Sequence, residues 1–479
     1  MPSTLVDLLT RYHNNVCLFD ETGHEVSYGD VLELARSEAF SATRRRLVFS
    51  CMVNEVAGIQ GYLALLVANA VPMMVNSTLP LTELDALIDS YKPDYLWIKQ
   101  QNAERWPNAK QAHAVGDYVL LEHRLCAERP ELPSDLALLL STSGTTGSRK
   151  YVRLSHQNIW SNAAAIADYL NLTPAEVAIT TLPPSYSYGL SIVHSHLLVG
   201  AGLAISNKTF FDRDFWTFLR ESRSTSLAGV PYHYEILKKL RFTSMELPHL
   251  RTLTQAGGRM NPELTREYAT HCQSKGIRFF TMYGQTEASP RMSYVPAEQS
   301  FAKAGTIGIP IPGGSFELQA ETGANINEAH VVGELVYRGP NVCLGYAECR
   351  ADLSLCDINR GVLHTGDLAE RDDDGYYRIV GRQMRFIKLF GNRVNLQDVE
   401  SLLSGVEGTV ACSGRDDLLE IYLPVGSEPK AVEIKRLMMA SLRVGAQAVA
   451  IYGIEVMPRN ESGKVRYSDL HPEKARRLA

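Results

Sequence analysis

The feature that most restricts the fold is the order in which apolar runs and amphipathic stretches alternate along the first 300 or so residues. A helical pattern over Tyr28 to Ala39 precedes an apolar run at Leu47 to Met52, and a second helical pattern follows through Ile59 to Ala70. The rhythm resumes with a helix at Asn158 to Leu170, a strand at Val177 to Leu182, a helix at Phe215 to Glu221 and a strand at Phe279 to Met282. Short strands that are apolar on both sides, alternating with helices, predict parallel, doubly wound α/β sheets. From about Gly305 to Gly381 the pattern changes to short β runs, such as Gly333 to Arg338 and Tyr376 to Val380, set apart by Gly, Pro, Asn and Asp turns. That is a barrel or an antiparallel section. Arg382 to Ala479 mixes strands with helices near Leu396 to Leu403 and Ala431 to Leu442, enough for a small α+β domain. A chain of 479 residues exceeds what one core organises. The division expected is residues 1–381 and 382–479.

Composition narrows the function. The net charge of -5 argues against nucleic acid as a partner, because such domains carry a basic excess. The eight cysteines form no C-x-x-C pair and no zinc spacing, and read as reduced thiols of a cytoplasmic protein. No leader pattern opens the chain, and the most apolar stretch, Gly58 to Val75, is too short to span a bilayer. The expectation is small-molecule chemistry without membrane insertion.

The most specific segment follows the apolar run Leu136 to Leu140: Ser141, Thr142, Ser143, Gly144, Thr145, Thr146, Gly147, Ser148, Arg149, Lys150. Small residues in a row offer backbone N–H groups and hydroxyls, and a lysine follows to meet negative charge, which makes a phosphate cradle. It is not the P-loop pattern, because Lys150 is followed by Tyr151 rather than Ser or Thr. By composition alone a flexible surface loop would serve equally. Further motifs follow in order: Tyr283-Gly284-Gln285-Thr286-Glu287; Gly333-Glu334-Leu335 with Arg338-Gly339-Pro340; Thr365-Gly366-Asp367; Gly381-Arg382; Lys388 to Arg393 with Glu400; and Asn460-Glu461-Ser462-Gly463-Lys464.

Together these resemble the adenylate-forming superfamily of acyl-CoA synthetases, adenylation domains and luciferases, over essentially the whole chain. The resemblance implies a large N-terminal portion of two doubly wound α/β subdomains plus a β-barrel, and a small mobile C-terminal α+β lid. It implies ATP-dependent conversion of a carboxylic acid to an acyl-AMP, then transfer to a pantetheine thiol, with CoA as first choice. Ser141 to Gly147 and Lys150 would hold the β- and γ-phosphates. Thr286 and Glu287 would sit at the α-phosphate, with Glu287 on Mg²⁺ as a hard oxygen ligand. Tyr283 would lie against the adenine beside Gly257 and Gly258, while Asp367 would accept from the ribose hydroxyls and Arg382 would add a second contact. Lys464 would offset the charge that builds as the substrate carboxylate nears the α-phosphorus. Gly391 would leave room for the pantetheine arm.

The chain also departs from the family pattern. Arg149 and Tyr151 flank Lys150 where Pro and Gly are usual, and Met384 replaces a charged hinge residue. These departures raise a rival of another class, a nucleotide-binding protein whose site has decayed. A second rival keeps the adenylation and loads a separate carrier protein. The acyl pocket is expected near Tyr186 and Gly189, in Ser185-Tyr186-Ser187-Tyr188-Gly189, where no carboxylate awaits the ammonium of an α-amino acid. His194 and His196 read as core histidines, with the pocket wall as their alternative.

Overall fold

A computed structural model describes residues 5–123, 131–141, 150–382, 386–389, 392–403, 410–442, 444–459 and 465–479. They form two compact units. One is built from the residues before 316 together with Tyr337–Leu363, and the other from Phe316–Val336 and His364–Ala479.

The first unit holds two large sheets. In one, eight strands run in the order Gly345–Ala347, Tyr151–Ser155, Leu136–Ser141, Val71–Met74, Leu47–Ser50, Tyr95–Lys99, Tyr118–Glu122 and Lys110–Val115. Its middle four strands are parallel. In the other, six parallel strands from Arg278–Gly284 across to Val16–Asp20 are flanked by antiparallel ones, nine in all. Side chains on a strand alternate between faces, and the cores follow that alternation. Val48, Met74, Leu138 and Leu140 enter a shared core with Leu18, Leu203 and Ile205 of the second sheet. Their neighbours Leu47, Phe49, Met73 and Leu139 fill a separate core on the far face.

The helix Val56–Val67 explains the most apolar stretch of the sequence. Ten of its twelve residues are buried, so it needs no polar face. Trp97 lies directly against Gly61, where a Cβ would collide with the indole ring, and its Nε1 donates to the Gly58 carbonyl at 3.0 Å. Among the described residues no helix is long and apolar enough to cross a membrane. All seven cysteines described are free thiols.

The second unit contains a five-stranded sheet, ordered Asn325–Ile326, Ser315–Gln319, Gly333–Arg338, Val362–Arg371 and Tyr377–Arg382. A four-stranded sheet built on Leu418–Pro424 and Val449–Ile454 carries the helices Leu396–Leu403 and Glu428–Leu442 over a core of Ile421, Ile434, Met438 and Val449.

Candidate active site

Five leucine-rich positions from Leu136 to Leu140 bury on both faces of the sheet, and the strand delivers Ser141 at its end. The chain returns antiparallel as Tyr151–Ser155, with Ser141 opposite Tyr151. Lys150 therefore emerges beside the same sheet edge; Thr142 to Gly147 lie outside the described residues. The returning strand pairs next with Gly345–Ala347, which sets Tyr346 opposite Val152. That register places the Lys150 ammonium 3.7 Å over the Tyr346 ring, a cation–π contact. The Tyr346 hydroxyl donates to Glu287 Oε1 at 2.8 Å. Burial first, and then the neighbouring Glu287 carboxylate, push the Tyr346 hydroxyl pKa up, so it stays a donor. Lys150, Tyr346 and Glu287 are thus brought into one cluster.

Arg153 holds that edge in place. Its side chain is fully buried, and its guanidinium donates to the carbonyls of Leu344 (3.0 Å), Tyr346 (3.1 Å), Leu355 (2.5 Å) and Cys356 (3.1 Å). Four bonds from one rigid guanidinium to a single chain segment make a staple. Asn158, which caps the helix His156–Tyr169, adds two bonds to the carbonyls of Pro340 (2.8 Å) and Val342 (2.7 Å). Arg153→Met is therefore expected to leave buried carbonyls unsatisfied and cost at least about 3 kcal/mol of stability. Urea unfolding checks it, and an unchanged midpoint would refute the staple.

Glu287 itself sits in a short turn, Thr286–Ala288, directly after the strand Arg278–Gly284. Gly284 is required there, because a Cβ would run into the Pro290 carbonyl. The Glu287 carbonyl accepts from Cys343 N at 2.8 Å. Thr286 is buried, with its Oγ1 3.1 Å from Ser187 Oγ at the start of the helix Ser187–Leu198. Just before that helix, the Tyr186 hydroxyl occupies the space over Gly257, whose φ of +85° also favours glycine. At Gly189 a Cβ would lie 2.6 Å from the Pro183 carbonyl oxygen, so the first helical turn packs onto the preceding loop. Gly258 accepts from Gln255 Nε2 at 2.9 Å after the strand Thr252–Gln255, and the half-buried Tyr283 lies on the neighbouring parallel strand Arg278–Gly284. Tyr186, Gly257, Thr286, Glu287 and Lys150 all belong to the first unit.

In the second unit Asp367 and Arg382 face each other across neighbouring strands. Arg382 Nε is 2.7 Å from Asp367 Oδ1, and Asp367 is buried while Arg382 is half exposed. Lys464, Gly391, Met384 and Arg149 lie outside the described residues.

Residues 7–347 match the protein-family description "AMP-binding enzyme". The chain belongs to that family. Among curated relatives, feruloyl-CoA synthase of an Amycolatopsis species is 30% identical over 293 residues, 60% of this chain and 58% of that protein. The match thus spans little more than half that relative's length. A 2-succinylbenzoate–CoA ligase from Geobacillus is 24% identical over 97% of this chain and 96% of its own. Solved structures of O-succinylbenzoate coenzyme A synthetase from Bacillus subtilis share the fold at 20% identity. The AMP complex has a TM-score of 0.80, covering 98% of each chain. The complex with ATP and magnesium ion has 0.77, covering 97% of this chain and 98% of that one.

Tyr151 stands after Lys150 where the family pattern has glycine, and the structure explains it. Its ring is buried and meets Tyr91 edge-on at 5.6 Å, so it is a core residue of the strand. The departure at Tyr151 reflects packing of the sheet. Of the two histidines, His194 is a satisfied core residue, its Nε2 2.8 Å from the Tyr62 hydroxyl. His196 bonds the Ile192 carbonyl through Nδ1 at 2.9 Å, but its buried Nε2 has no partner. Three residues of the candidate site carry no motif: Tyr346, Arg153 and Ser187. Tyr346 and Arg153 act through a strand pairing between segments nearly 200 residues apart, which carries no local signal. The hydroxyl of Ser187 could have been suspected from its place at a helix start.

Proposed function

We propose that this AMP-binding enzyme activates a small carboxylic acid with ATP and passes the acyl group to CoA. The observation that carries the reading is the Lys150–Tyr346–Glu287 cluster beside Ser141, where a cation and a carboxylate are held apart across one aromatic ring. In the first step a carboxylate oxygen bonds to the α-phosphorus of ATP, and the bond to pyrophosphate breaks. In the second a thiolate sulfur attacks the acyl carbon and AMP leaves. Two polyanions must meet, so the protein's work is positioning and neutralisation.

The residues take the roles their motifs imply. Ser141 to Gly147 with Lys150 bind the β- and γ-phosphates, Tyr283 and the Gly257–Gly258 pair receive the adenine, and Asp367 with Arg382 receives the ribose. Lys464 offsets charge at the α-phosphate. The division of labour runs at Arg382, with residues 382–479 serving the change between steps. The donor set suits Mg²⁺: no group of three or more His, Cys, Asp or Glu that could cage a metal occurs among the described residues, and a single half-buried carboxylate, Glu287, is available. Mg²⁺ is commonly held by one or two carboxylates plus substrate phosphates and water. When bound it supplies neutralisation of phosphate charge. CoA is favoured over a carrier protein because the relatives named above are CoA ligases. The place of work is the cytoplasm.

ATP–pyrophosphate exchange with a panel of aryl, dicarboxylic and aliphatic acids tests the reading. Exchange with at least one class is expected, and a folded, ATP-binding protein that exchanges with none would sink it. Gly391 separates the half-reactions. Gly391→Leu should retain exchange yet lower thioester formation with CoA about tenfold or more, because bulk in the pantetheine path affects only the second step. Gly391→Ala is the control, since it adds little bulk but the same backbone penalty if φ is positive. Equal loss of both steps in both variants would leave Gly391 as a turn residue.

A further inference from the structure

The strand that carries Tyr346 has little ladder to hold it. Gly345–Ala347 is three residues long and lies at the edge of the eight-stranded sheet, where it pairs with Tyr151–Ser155 on one side. So short an edge strand depends on side chains for its position. Arg153 supplies one restraint from the neighbouring strand. A second comes from a single turn of chain behind the sheet.

The helix Leu81–Tyr91 ends at that turn, where Lys92 takes the left-handed conformation at φ 45°. Tyr91 is fully buried, and its hydroxyl donates to the Ala347 carbonyl at 2.6 Å. Burial, and then the neighbouring Tyr151, push the Tyr91 hydroxyl pKa up, so it stays a donor. Three residues beyond Ala347, the Arg350 guanidinium donates to the Lys92 carbonyl at 2.5 Å and to both Asp94 carboxylate oxygens, at 2.9 and 3.2 Å. Asp94 is 1% exposed and also accepts from Leu47 N at 2.9 Å, which ties it to the strand Leu47–Ser50. One turn therefore grips the segment 347–350 at two points.

The position of the first grip gives it a consequence at the site. Tyr91 bonds Ala347 and meets the Tyr151 ring edge-on, and these two residues lie opposite each other in the strand register. Each is the next residue in the chain after a member of the cluster, Tyr346 and Lys150. Side chains alternate across a sheet. Tyr91, Tyr151 and Ala347 share the core on one face, while Tyr346 packs against the core on the other and bonds Glu287. Tyr91 thus fixes, from behind, the main chain that delivers the Tyr346 hydroxyl to the carboxylate. A displacement of about 1 Å at such a point can cost about a hundredfold in rate. We propose that Tyr91 is a positioning residue for Glu287, acting through Ala347 and the Tyr346 hydroxyl, with the Arg350–Asp94 pair as its second anchor. This rests on the carboxylate-activating reading above, in which Glu287 holds Mg²⁺.

The test uses the full-length protein and the Mg²⁺ dependence of ATP binding, followed by titration calorimetry. Tyr91→Phe keeps the ring against Tyr151 and removes the donor to Ala347. The Mg²⁺ concentration for half-maximal binding should rise about threefold to tenfold. In pyrophosphate exchange kcat should fall by a similar factor, with KM for the acid unchanged. A buried carbonyl also loses its donor, so stability falls as well, and the deciding measurement is a double-mutant cycle with Tyr346→Phe. That background has already lost the bond to Glu287, so adding Tyr91→Phe should raise the Mg²⁺ requirement by less than about twofold. An unchanged requirement in Tyr91→Phe, or an equal rise in both backgrounds, would overturn the inference and leave Tyr91 a core residue. If Tyr91→Phe does not fold, Arg350→Lys carries the same cycle, since it keeps a cation and loses the forked bond to Asp94. A wild-type protein that binds ATP with Mg²⁺ yet exchanges with no acid would overturn acid activation alone, because the cycle is read on ATP binding.

Discussion

Glu287→Gln should lower acyl-AMP formation about a hundredfold or more and raise the Mg²⁺ concentration needed for half-maximal exchange, while leaving the melting temperature nearly unchanged. The carboxylate is half-buried, and its recorded side-chain partner is the Tyr346 hydroxyl at 2.8 Å. Glutamine keeps the shape and an oxygen to accept that bond, so the fold loses little. What it removes is the charge, and a hard divalent cation binds a neutral amide far more weakly than a carboxylate. Tyr346→Phe makes the comparison sharper. It keeps the ring beneath Lys150 and removes only the donor to Glu287, so a smaller loss of about tenfold is expected. If the Mg²⁺ titration of Glu287→Gln matched the wild type, Glu287 would have no part in holding the metal, and the Tyr346 bond would be structural.

Most of the fold was legible because parallel strands covered on both faces write themselves as apolar runs. Leu136 to Leu140 is such a run: Leu138 and Leu140 enter one core and Leu139 the other, and a register shift between Leu136 and Leu138 puts Ala137 with Leu138 and Leu136 with Leu139. Errors fell at ends, where local chemistry decides. The helix expected over Tyr28 to Ala39 stops at Arg36, because Ser37 leaves the helical region at ψ 152° and caps a new turn, Glu38–Ser41. The helix expected from Ile59 begins at Val56, since burial on all sides rewards apolar residues whatever their period. The five-stranded sheet that includes Gly333–Arg338 was readable from its turn residues. The site was legible only where a motif is contiguous. Glu287 follows Tyr-Gly-x-Thr and is a candidate from the sequence, whereas Tyr346 meets it only through its register with Val152, and register between distant segments is invisible in one sequence.

The first half-reaction should fail most completely at Lys464. As the acid's carboxylate nears the α-phosphorus, two anionic groups are pressed together, and an ammonium placed between them stabilises that arrangement more than either reactant alone. Lys464→Ala should therefore reduce pyrophosphate exchange by about a hundredfold to a thousandfold. Stability should hardly change, because Asn460 to Lys464 is a run of polar and turn-forming residues with no apolar side chain to bury. ATP binding should persist as well, since the proposed reading gives the phosphates to Ser141 and Lys150. The decisive comparison is with the second half-reaction. Supplied with preformed acyl-AMP, the variant should make the CoA thioester at close to the wild-type rate, because that step breaks the acyl–phosphate bond and brings no carboxylate to phosphorus. Lys464→Arg should recover only part of the exchange, as a planar guanidinium cannot take the place of a compact ammonium between two oxygens. Were thioester formation from acyl-AMP to fall as far as exchange, Lys464 would serve both steps or the fold. Were exchange to survive in Lys464→Ala, the charge at the α-phosphate would have to be met without Lys464, by Mg²⁺ at Glu287 and the neighbouring donors.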